Sequence, residues 1–298
     1  MTDWSLTLSA PAKINLYLGV HTERDDRGYH KVDSLMAAVG LVDTVTVTPA
    51  QALAVQTIPA SDFPMQKNTA YRAAAAMAEH YGREANICVT IEKHIPLCAG
   101  LGGPSTDAAA VIVALAELWG IDRTDPALDD IARSIGADVP FFLHASPAFY
   151  VGGGDVLATE YPALPTTPVV LVKPREASVS TIEAYRRFDE TPVPAEKPGA
   201  IASALRSGDA ETAYALVHNN LGVISAQMEP QIQTVLDWLR AQDGTVAVDV
   251  CGSGACSFAI CNTAATAANL AEAAQQNGWW VCATELIPNT VRIEVPKK

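Results

Sequence analysis

The first half of the chain mixes strand and helix patterns. Residues 5–10, 14–20 and 44–48 alternate apolar and polar side chains, which predicts half-buried strands with a polar turn over 23–28. Further apolar runs and turn residues predict a helix over 68–81, a strand over 86–92, helices over 105–119 and 125–134, and strands over 148–151 and 169–172 joined by a connector over 162–168.

The second half predicts an α+β unit. A segment with three prolines, 189–199, is a candidate linker or a surface loop. Beyond it the pattern predicts helices over 200–205, 210–217, 231–241 and 264–276, and strands over 245–250, 256–261, 279–285 and 291–295. Because 298 residues are enough for two cores, we expect two domains, residues 1–165 and 166–298.

A glycine-rich segment over 96–107 leads into the helix predicted from residue 105. Glycines at 100, 102 and 103 permit positive φ and a close approach to a ligand, and a helix begins with free N–H groups. Ser105, Thr106 and Asp107 each suit a position near the N-cap. The segment therefore predicts a phosphate site, with an ordinary glycine-rich turn as the alternative.

Two common phosphate motifs do not describe this segment. A P-loop places a lysine directly after its second glycine, and no lysine follows a glycine here. A dinucleotide fingerprint would need glycine at position 105, where this chain has Ser105. The first motif is excluded and the second is disfavoured.

The charge balance narrows the class of partner. With 33 acidic and 20 basic residues, the net charge is -13, which disfavours nucleic acid or an anionic membrane. We find neither a signal-peptide pattern nor an apolar run of membrane-spanning length, and we expect a cytoplasmic protein. The six cysteines lack metal-binding spacing, so we expect them to be reduced and assign them no metal.

Charged residues in apolar surroundings suggest a site. Lys13 and Asn15 are two positions apart in a predicted strand, so their side chains share one side; a solvated face is the alternative. Asp138 follows a glycine helix stop in an apolar context, where a carboxylate needs a partner, and Lys13 is a candidate. The alternative for Asp138 is a structural cap. Residues 249–256 predict a second glycine turn or a plain hairpin.

In order and spacing, residues 11–16, 96–107, 136–140 and 252–256 resemble the GHMP kinase superfamily. With residues 26–30, they are similar to the branch that phosphorylates CDP-methylerythritol in the methylerythritol phosphate pathway to isoprenoids. The resemblance covers nearly the whole chain. It implies a two-lobed α+β fold, with a ribosomal-protein-S5-like N-terminal lobe, a ferredoxin-like C-terminal lobe and the active site between them.

The same resemblance implies an activity and residue roles. The γ-phosphoryl of ATP, with Mg²⁺, would pass to the substrate's 2-hydroxyl, with Asp138 as general base and Lys13 as the catalytic lysine. His30 would hydrogen-bond the polar edge of cytosine, and Tyr185 would stack on the base. The expected substrate-binding residues are Asn15, Tyr29, His30, Thr181 and Tyr185. The expected ATP-binding residues are Asn68, at the adenine, and Pro96, Leu97, Cys98, Ala99, Gly100, Leu101, Gly102, Gly103, Pro104, Ser105 and Thr106.

Two loop residues depart from the family pattern. Pro104 stands where Gly or Ser is common, and Thr106 stands where Ser is common. Pro104 removes a backbone donor and stiffens the loop. We assign no acidic ligand to magnesium; Ser105 or Thr106 would contribute, with phosphates and water supplying the rest.

Two other functions stay open at this point. A GHMP kinase acting on homoserine, mevalonate or a sugar would not need the pair Tyr29 and His30. A non-catalytic nucleotide-binding sensor would not need both Lys13 and Asp138. The expected partners are small molecules, CDP-methylerythritol and ATP, with no nucleic acid and no membrane, and the protein is expected to be a monomer or a homodimer.

Overall fold

The computed structural model of the protein describes residues 4–294. Its strands are β1 (Leu6–Arg24), β2 (His30–Pro49), β3 (Ala54–Ile58), β4 (Ile87–Glu92), β5 (Ala148–Val151), β6 (Val156–Glu160), β7 (Pro168–Lys173), β8 (His218–Asn219), β9 (Thr245–Val250), β10 (Ser257–Cys261), β11 (Trp280–Ile287) and β12 (Arg292–Ile293). Its helices are α1 (Thr69–Tyr81), α2 (Gly103–Trp119), α3 (Pro126–Ile135), α4 (Thr181–Glu190), α5 (Gly199–Ser207), α6 (Ala210–Ala215), α7 (Asn220–Met228), α8 (Pro230–Arg240) and α9 (Ala264–Gln276). Short 3-10 turns lie at Met65–Lys67 and Pro140–Leu143.

The first lobe is organised by the long antiparallel pair β1 and β2. β2 also pairs with β4 and β5, while β3 pairs in parallel with β4 and β5 pairs with β6. The prediction of two separate strands over 5–10 and 14–20 is wrong. Pro11 has no N–H to donate, but the pairing register shifts between Pro11 and Ala12, so a bulge absorbs the proline and the strand continues.

Helix α2 forms the centre of the first core. Twelve of its 17 residues are buried, and it packs against α1 and β1. The helix carries alanines and valines on all of its sides, which is typical of a helix that is surrounded by the rest of its lobe. The helix begins at Gly103, two residues before the predicted start, because Gly102 is the N-cap residue with a φ of 75°. The Ala-rich face of α1 packs closely on it, with Ala70, Ala73 and Ala74 buried.

The second lobe has the predicted ferredoxin-like arrangement. Its antiparallel sheet has the strand order β11-β7-β10-β9. If the four strands are numbered along the chain, they therefore follow one another across the sheet as 4-1-3-2. Helices α8 and α9 pack on the sheet, where Val170 and Val172 join their buried residues. Val169 and Leu171 lie on the opposite side of β7, and they belong to the core that the second lobe shares with β1 and β2.

Strand β11 joins the two lobes. Its first part pairs with β7, and its end pairs with β2 at Leu286 with Val39 and Ile287 with Ala38. The chain then returns to the first lobe, where β12 pairs with β1. The predicted final strand, 291–295, is shorter here, and its residue 295 lies outside the described residues.

Two helices of the second lobe were not predicted. α4 is short and rich in charged residues, and it buries only Ala184 and Phe188, while its apolar Ile182 is exposed, so its sequence shows no clear apolar face. α7 is buried on several sides, so it shows little amphipathic contrast. Among the described helices, none combines the length and the apolar composition that crossing a membrane requires.

His144 allows a test of how the segment after α3 is held. Its Nε2 lies 2.9 Å from Asp129 Oδ1 of α3, and this hydrogen bond raises the pKa of His144, although burial opposes the shift. A pKa raised by folding stabilises the native state below the unfolded pKa of about 6.5, and the contribution is lost as the pH rises through the folded pKa. We expect the unfolding free energy of the wild type to fall relative to that of His144→Asn as the pH rises above about 6.5. Urea unfolding over a pH series measures this difference; parallel curves would contradict it, and Asp129→Asn should lose the same dependence.

Candidate active site

The predicted phosphate loop connects β4 to α2 and is held by main-chain hydrogen bonds from both lobes. The amide of Lys13 in β1 donates to Leu101 O at 2.9 Å. From the second lobe, the amide of Ala255 donates to Cys98 O at 3.1 Å, and that of Cys256 donates to Ala99 O at 3.2 Å. The loop therefore lies between β1 and the second glycine turn, and its shape depends on both.

Glycine is required where the loop approaches the second turn. Gly100 has a φ of 74°, and a Cβ built on it would lie 1.8 Å from the carbonyl oxygen of Cys251. Gly102 has a φ of 75° and would place a Cβ 3.1 Å from Cγ of Lys13. These contacts mean that the loop is more than an ordinary turn, since its glycines are enforced by packing as well as by conformation.

The helix that follows presents its N-terminus differently from the prediction. Ser105 and Thr106 donate their amides to Gly102 O, and Pro104 has no amide proton. Within the described residues, the amide of Gly102 has no protein acceptor, and Gly102 lines a cavity, so this amide is available to an anion. The placement of Ser105, Thr106 and Asp107 near the N-cap is wrong, because a positive-φ glycine starts the helix earlier.

The loop separates two cavities. Cys98, Gly100, Gly102 and Ser105 line a cavity of about 840 Å³ between the lobes, which we call the central cavity. Asn68, Pro96, Leu97 and Pro104 line a neighbouring cavity of about 490 Å³, the outer cavity. Ala99, Leu101, Gly103 and Thr106 line neither and are buried. The predicted loop residues thus divide between two spaces and a buried support.

A lysine and a carboxylate meet in the central cavity. Lys13 Nζ lies 3.4 Å from Asp138 Oδ2 and donates to Asn15 Oδ1 at 2.9 Å. Asn15 Nδ2 in turn donates to Ser34 Oγ at 3.0 Å. Lys13 is only 3% exposed, so the solvated-face alternative is wrong, and this buried ammonium has the partners that burial demands.

Asp138 is more exposed than the sequence predicted. Its side chain is 37% exposed, at the cavity surface, and therefore is not a buried carboxylate. The cap alternative is also wrong, because Val139 is the N-cap of the following 3-10 turn and receives no side-chain cap bond. Asp138 is thus paired with Lys13 and accessible to a ligand at the same time.

Aromatic residues form the other end of the central cavity. His30 and Tyr185 stack with ring centroids 5.3 Å apart, and Tyr29 is exposed beside them. His30 Nδ1 lies 2.7 Å from His21 O, and its Nε2 lies 3.2 Å from Asp189 Oδ1. Burial raises the pKa of Tyr185 to about 12, with the negative charge of Asp138 adding to the effect, so its phenol is neutral at physiological pH.

Thr181 connects this end to the second glycine turn. Its Oγ1 lies 2.8 Å from Ser253 Oγ, and both residues line the central cavity. Thr181 is the first residue of α4, whose N-cap Ser180 accepts from the amide of Glu183. The predicted second turn lines the cavity as well, through Gly252, Ser253 and Gly254.

A buried charged triad behind the loop was missed by the sequence analysis. Lys93 Nζ donates to Asp107 Oδ2 at 2.6 Å and pairs with Asp43, which also accepts from the amides of His94 and Ile95. Burial lowers the pKa of Lys93, but the two carboxylates outweigh it and the net shift is upward. Burial raises the pKa of Asp107, and Asp43 adds to the rise while Lys93 opposes it. The available signal was a carboxylate inside the apolar run of α2, which requires a cation.

The comparisons with known proteins agree with this geometry. Residues 68–146 match the family "GHMP kinases N terminal domain", and residues 201–278 match "GHMP kinases C terminal". The 4-diphosphocytidyl-2-C-methyl-D-erythritol kinase of Mycobacterium marinum is 36% identical over 289 residues, which cover 94% of this chain and 88% of that protein. The chain belongs to this family of GHMP kinases. Its relative from Mycobacterium tuberculosis H37Rv is 35% identical over the same share of this chain and 89% of its own.

Solved structures support the same family and fold. A crystal structure of 4-(cytidine 5'-diphospho)-2C-methyl-D-erythritol kinase aligns with a TM-score of 0.77 and 34% identity, covering 94% of this chain and 98% of that one. A homoserine kinase from Cytophaga hutchinsonii aligns with a TM-score of 0.75 at 18% identity, covering 97% of each chain, and this likeness concerns the fold alone. The chain is therefore a kinase with the two-lobed fold that the sequence predicted.

Gly100 gives a direct test of the loop packing. We expect Gly100→Ala to destabilise the protein and abolish kinase activity, because its Cβ would overlap Cys251 O. Gly120→Ala is the matched control, since Gly120 has a φ of 64° but nothing within 4 Å of an added Cβ. The control should cost only the left-handed backbone strain of about 1–2 kcal/mol. Thermal melting and turnover measure both variants; equal losses in the two would contradict the packing argument.

Proposed function

We propose that the protein transfers the γ-phosphoryl of ATP to the 2-hydroxyl of 4-diphosphocytidyl-2-C-methyl-D-erythritol. The observation on which this rests is the pair Lys13 and Asp138 between a glycine loop and an aromatic cavity end. Relatives of this name match almost the full chain, which supports the same substrate. The product would be a 2-phosphate of the methylerythritol unit, in the route to isoprenoid precursors.

The acceptor would lie with its cytosine at the aromatic end. Tyr29 and Tyr185 offer ring faces for stacking, worth about 1–3 kcal/mol for a base by analogy with nucleic-acid binding proteins. His30 offers a polar ring edge beside them. In the present arrangement His30 and Tyr185 stack on each other, so a base would pair with one free face of Tyr185 or displace this contact.

The phosphoryl donor would cross the loop. The outer cavity, which Asn68 lines, has room for a nucleobase, and the amide of Gly102 is available to a phosphate in the neighbouring central cavity. Backbone donors and a helix N-terminus suit phosphate oxygens, especially in a chain of net charge -13. The γ-phosphoryl would then reach Lys13, whose charge favours the transferring group.

The reaction needs a proton acceptor and fixed geometry. Asp138 would accept the proton of the attacking hydroxyl, while Lys13 pairs with it from the buried side. Asn15 is held by both Lys13 and Ser34, so it can orient the substrate without moving. Phosphoryl transfer is mainly positioning and charge stabilisation, which this arrangement supplies.

Mg²⁺ fits this donor set. The Ser105 hydroxyl and the Asp138 carboxylate line the same cavity, and Mg²⁺ in kinases uses few protein oxygens together with phosphates and water. Thr106 is less suitable, because it is buried away from both cavities. The ion would neutralise charge on the phosphates while the Ser105 hydroxyl holds it together with phosphate oxygens and water, which leaves Asp138 free to act as the base.

The proposal also includes the division into domains, the cellular location and the oligomeric state of the protein. The connector between β6 and β7 supports a division into residues 1–165 and 166–298, apart from the final return to the first lobe. All six cysteines are free, which suits the cytoplasm. One chain supplies the whole central cavity, so a monomer is sufficient and a homodimer is compatible.

Asp138→Asn tests the assigned base. We expect turnover to fall by about 10²–10⁴-fold, because the amide cannot accept the proton, with ATP affinity retained. Asp130→Asn on α3 is the matched control, since Asp130 is exposed and pairs only with Arg133 of its own helix. Steady-state kinetics and calorimetric ATP binding measure the two effects. Unchanged turnover in Asp138→Asn would contradict the mechanism.

An acceptor panel separates the proposal from its rivals. We expect turnover with 4-diphosphocytidyl-2-C-methyl-D-erythritol and none with homoserine or mevalonate, because only the first carries a base for Tyr29, His30 and Tyr185. Coupled detection of ADP measures each reaction. Preferred turnover of homoserine or mevalonate would identify another kinase of the superfamily, and ATP binding without any turnover would identify a sensor.

A further inference from the structure

One side of the central cavity is built from two turns that belong to different hairpins. The turn between β1 and β2 supplies Gly28 and Tyr29, and the turn between β5 and β6 supplies Gly153 and Gly154. The amide of Val32 donates to Gly152 O at 2.8 Å, which brings the two hairpins side by side. Beyond this backbone contact, side chains connect the tips of the turns.

Arg27 makes that connection with a two-point hydrogen bond. Its Nη1 lies 2.6 Å from Asp155 Oδ2, and its Nη2 lies 3.0 Å from Asp155 Oδ1. Asp155 is only 3% exposed, and Arg27 lowers the pKa of its carboxyl although burial opposes the shift. A planar guanidinium matches a carboxylate in this way, and lysine cannot reproduce the fork.

The other side of Arg27 shapes its own turn. Arg27 Nε donates to Asp25 Oδ2 at 2.8 Å, while Asp25 Oδ1 accepts from the amides of Arg27 and Tyr29 at 3.0 and 2.9 Å. The Arg27 guanidinium also lies over one face of the Tyr29 ring, 5.3 Å from its centroid. Asp25, which Arg27 holds, therefore fixes the backbone of Tyr29, and Arg27 itself covers one face of the Tyr29 ring.

We propose that Arg27, Asp25 and Asp155, which we call the Arg27 clamp, are positioning residues for the acceptor. The clamp holds the Tyr29 ring at the cavity with its opposite face free for the acceptor's base. Binding then does not have to order the turn, which lowers the entropic cost of binding. None of the three residues lines the central cavity, so they act through Tyr29 and Gly153.

The geometry around Gly153 supports a shared role for both turns. A Cβ on Gly153 would lie 3.1 Å from Arg27 Nη2, 3.4 Å from Asp155 Oδ1 and 3.7 Å from Tyr29 Cβ. The amide of Gly153 also donates to Asp155 Oδ1 at 3.0 Å. A displaced clamp would therefore move both turns and with them the cavity surface.

The inference rests on the proposed function, because that function identifies the acceptor. Loss of the clamp should change the binding of the acceptor but not the binding of ATP. In Arg27→Met and Asp155→Asn, we expect the KM of the acceptor to rise about tenfold, with the KM of ATP and kcat unchanged, because the loop and Asp138 lie elsewhere. Arg27→Lys should fall between wild type and Arg27→Met. The double variant should cost no more than Arg27→Met alone, since both substitutions remove the Arg27–Asp155 interaction and Arg27→Met removes the other contacts of Arg27 as well.

Amide hydrogen exchange provides a readout independent of the acceptor. Residues 25–32 and 152–155 should exchange faster in Arg27→Met, whereas the loop over 96–107 should be unchanged. Arg240→Met is the control, because Arg240 pairs with Asp237 on α8, outside the cavity. If Arg27→Met does not fold, Arg27→Lys and Asp155→Asn carry the same comparison.

The outcomes distinguish the inference from the proposed function. An unchanged acceptor KM, a parallel rise in the KM of ATP, additive losses in the double variant, or unchanged exchange in the two turns would overturn the clamp. A wild-type protein that does not turn over the cytidine substrate would instead overturn the proposed function. In that case the exchange comparison and the KM of the acceptor that is turned over still decide on the clamp.

Discussion

The structure depends on the main-chain hydrogen bonds that hold the phosphate loop from both sides. Lys13 donates from β1, and Ala255 and Cys256 donate from the second glycine turn. Because these bonds use backbone groups, the path of the loop depends on main-chain contacts and on the close packing of its glycines. They also join the backbone of Lys13 to the loop itself, so one contact ties the strand that carries this lysine to the glycine-rich segment.

Two lysines of this protein are largely buried and paired with carboxylates. A chain with net charge -13 has few cations, yet Lys13 and Lys93 are both placed inside, each against carboxylates. Lys13 lines the central cavity and Lys93 lines the outer cavity. Lys13 pairs with an accessible carboxylate and faces the cavity, whereas Lys93 is matched by Asp43 and Asp107 and fixes the segment before the loop. Burial of Lys93 is offset by hydrogen bonds to both of its carboxylates, whereas Lys13 combines a hydrogen bond to Asn15 with an ion pair to the partly exposed Asp138.

The local pattern of apolar and polar residues predicted most helices and strands. The predicted bounds of β9 (Thr245–Val250) and α9 (Ala264–Gln276) agree with the structure at both ends. The long β1 could not be predicted, since a proline normally ends a strand and only the partner strand shows the bulge. In the site, the sequence predicted that the side chains of Lys13 and Asn15 lie on the same face, because they are two positions apart in a strand. The triad of Lys93 was out of reach, because its partners are 14 and 50 residues away in the chain and meet only through the fold.

Strand β11 has a mechanical consequence. It is hydrogen-bonded to β7 along most of its length and to β2 at its end, so one continuous strand belongs to both sheets. Hinge motion of two whole lobes would have to break this ladder or bend it sharply, and domain closures normally turn about loops with few cross-connections. Access to a site between such lobes is therefore not expected from rotation of one whole lobe against the other. A small element at the cavity such as α4, which is not part of this ladder, can shift without breaking it.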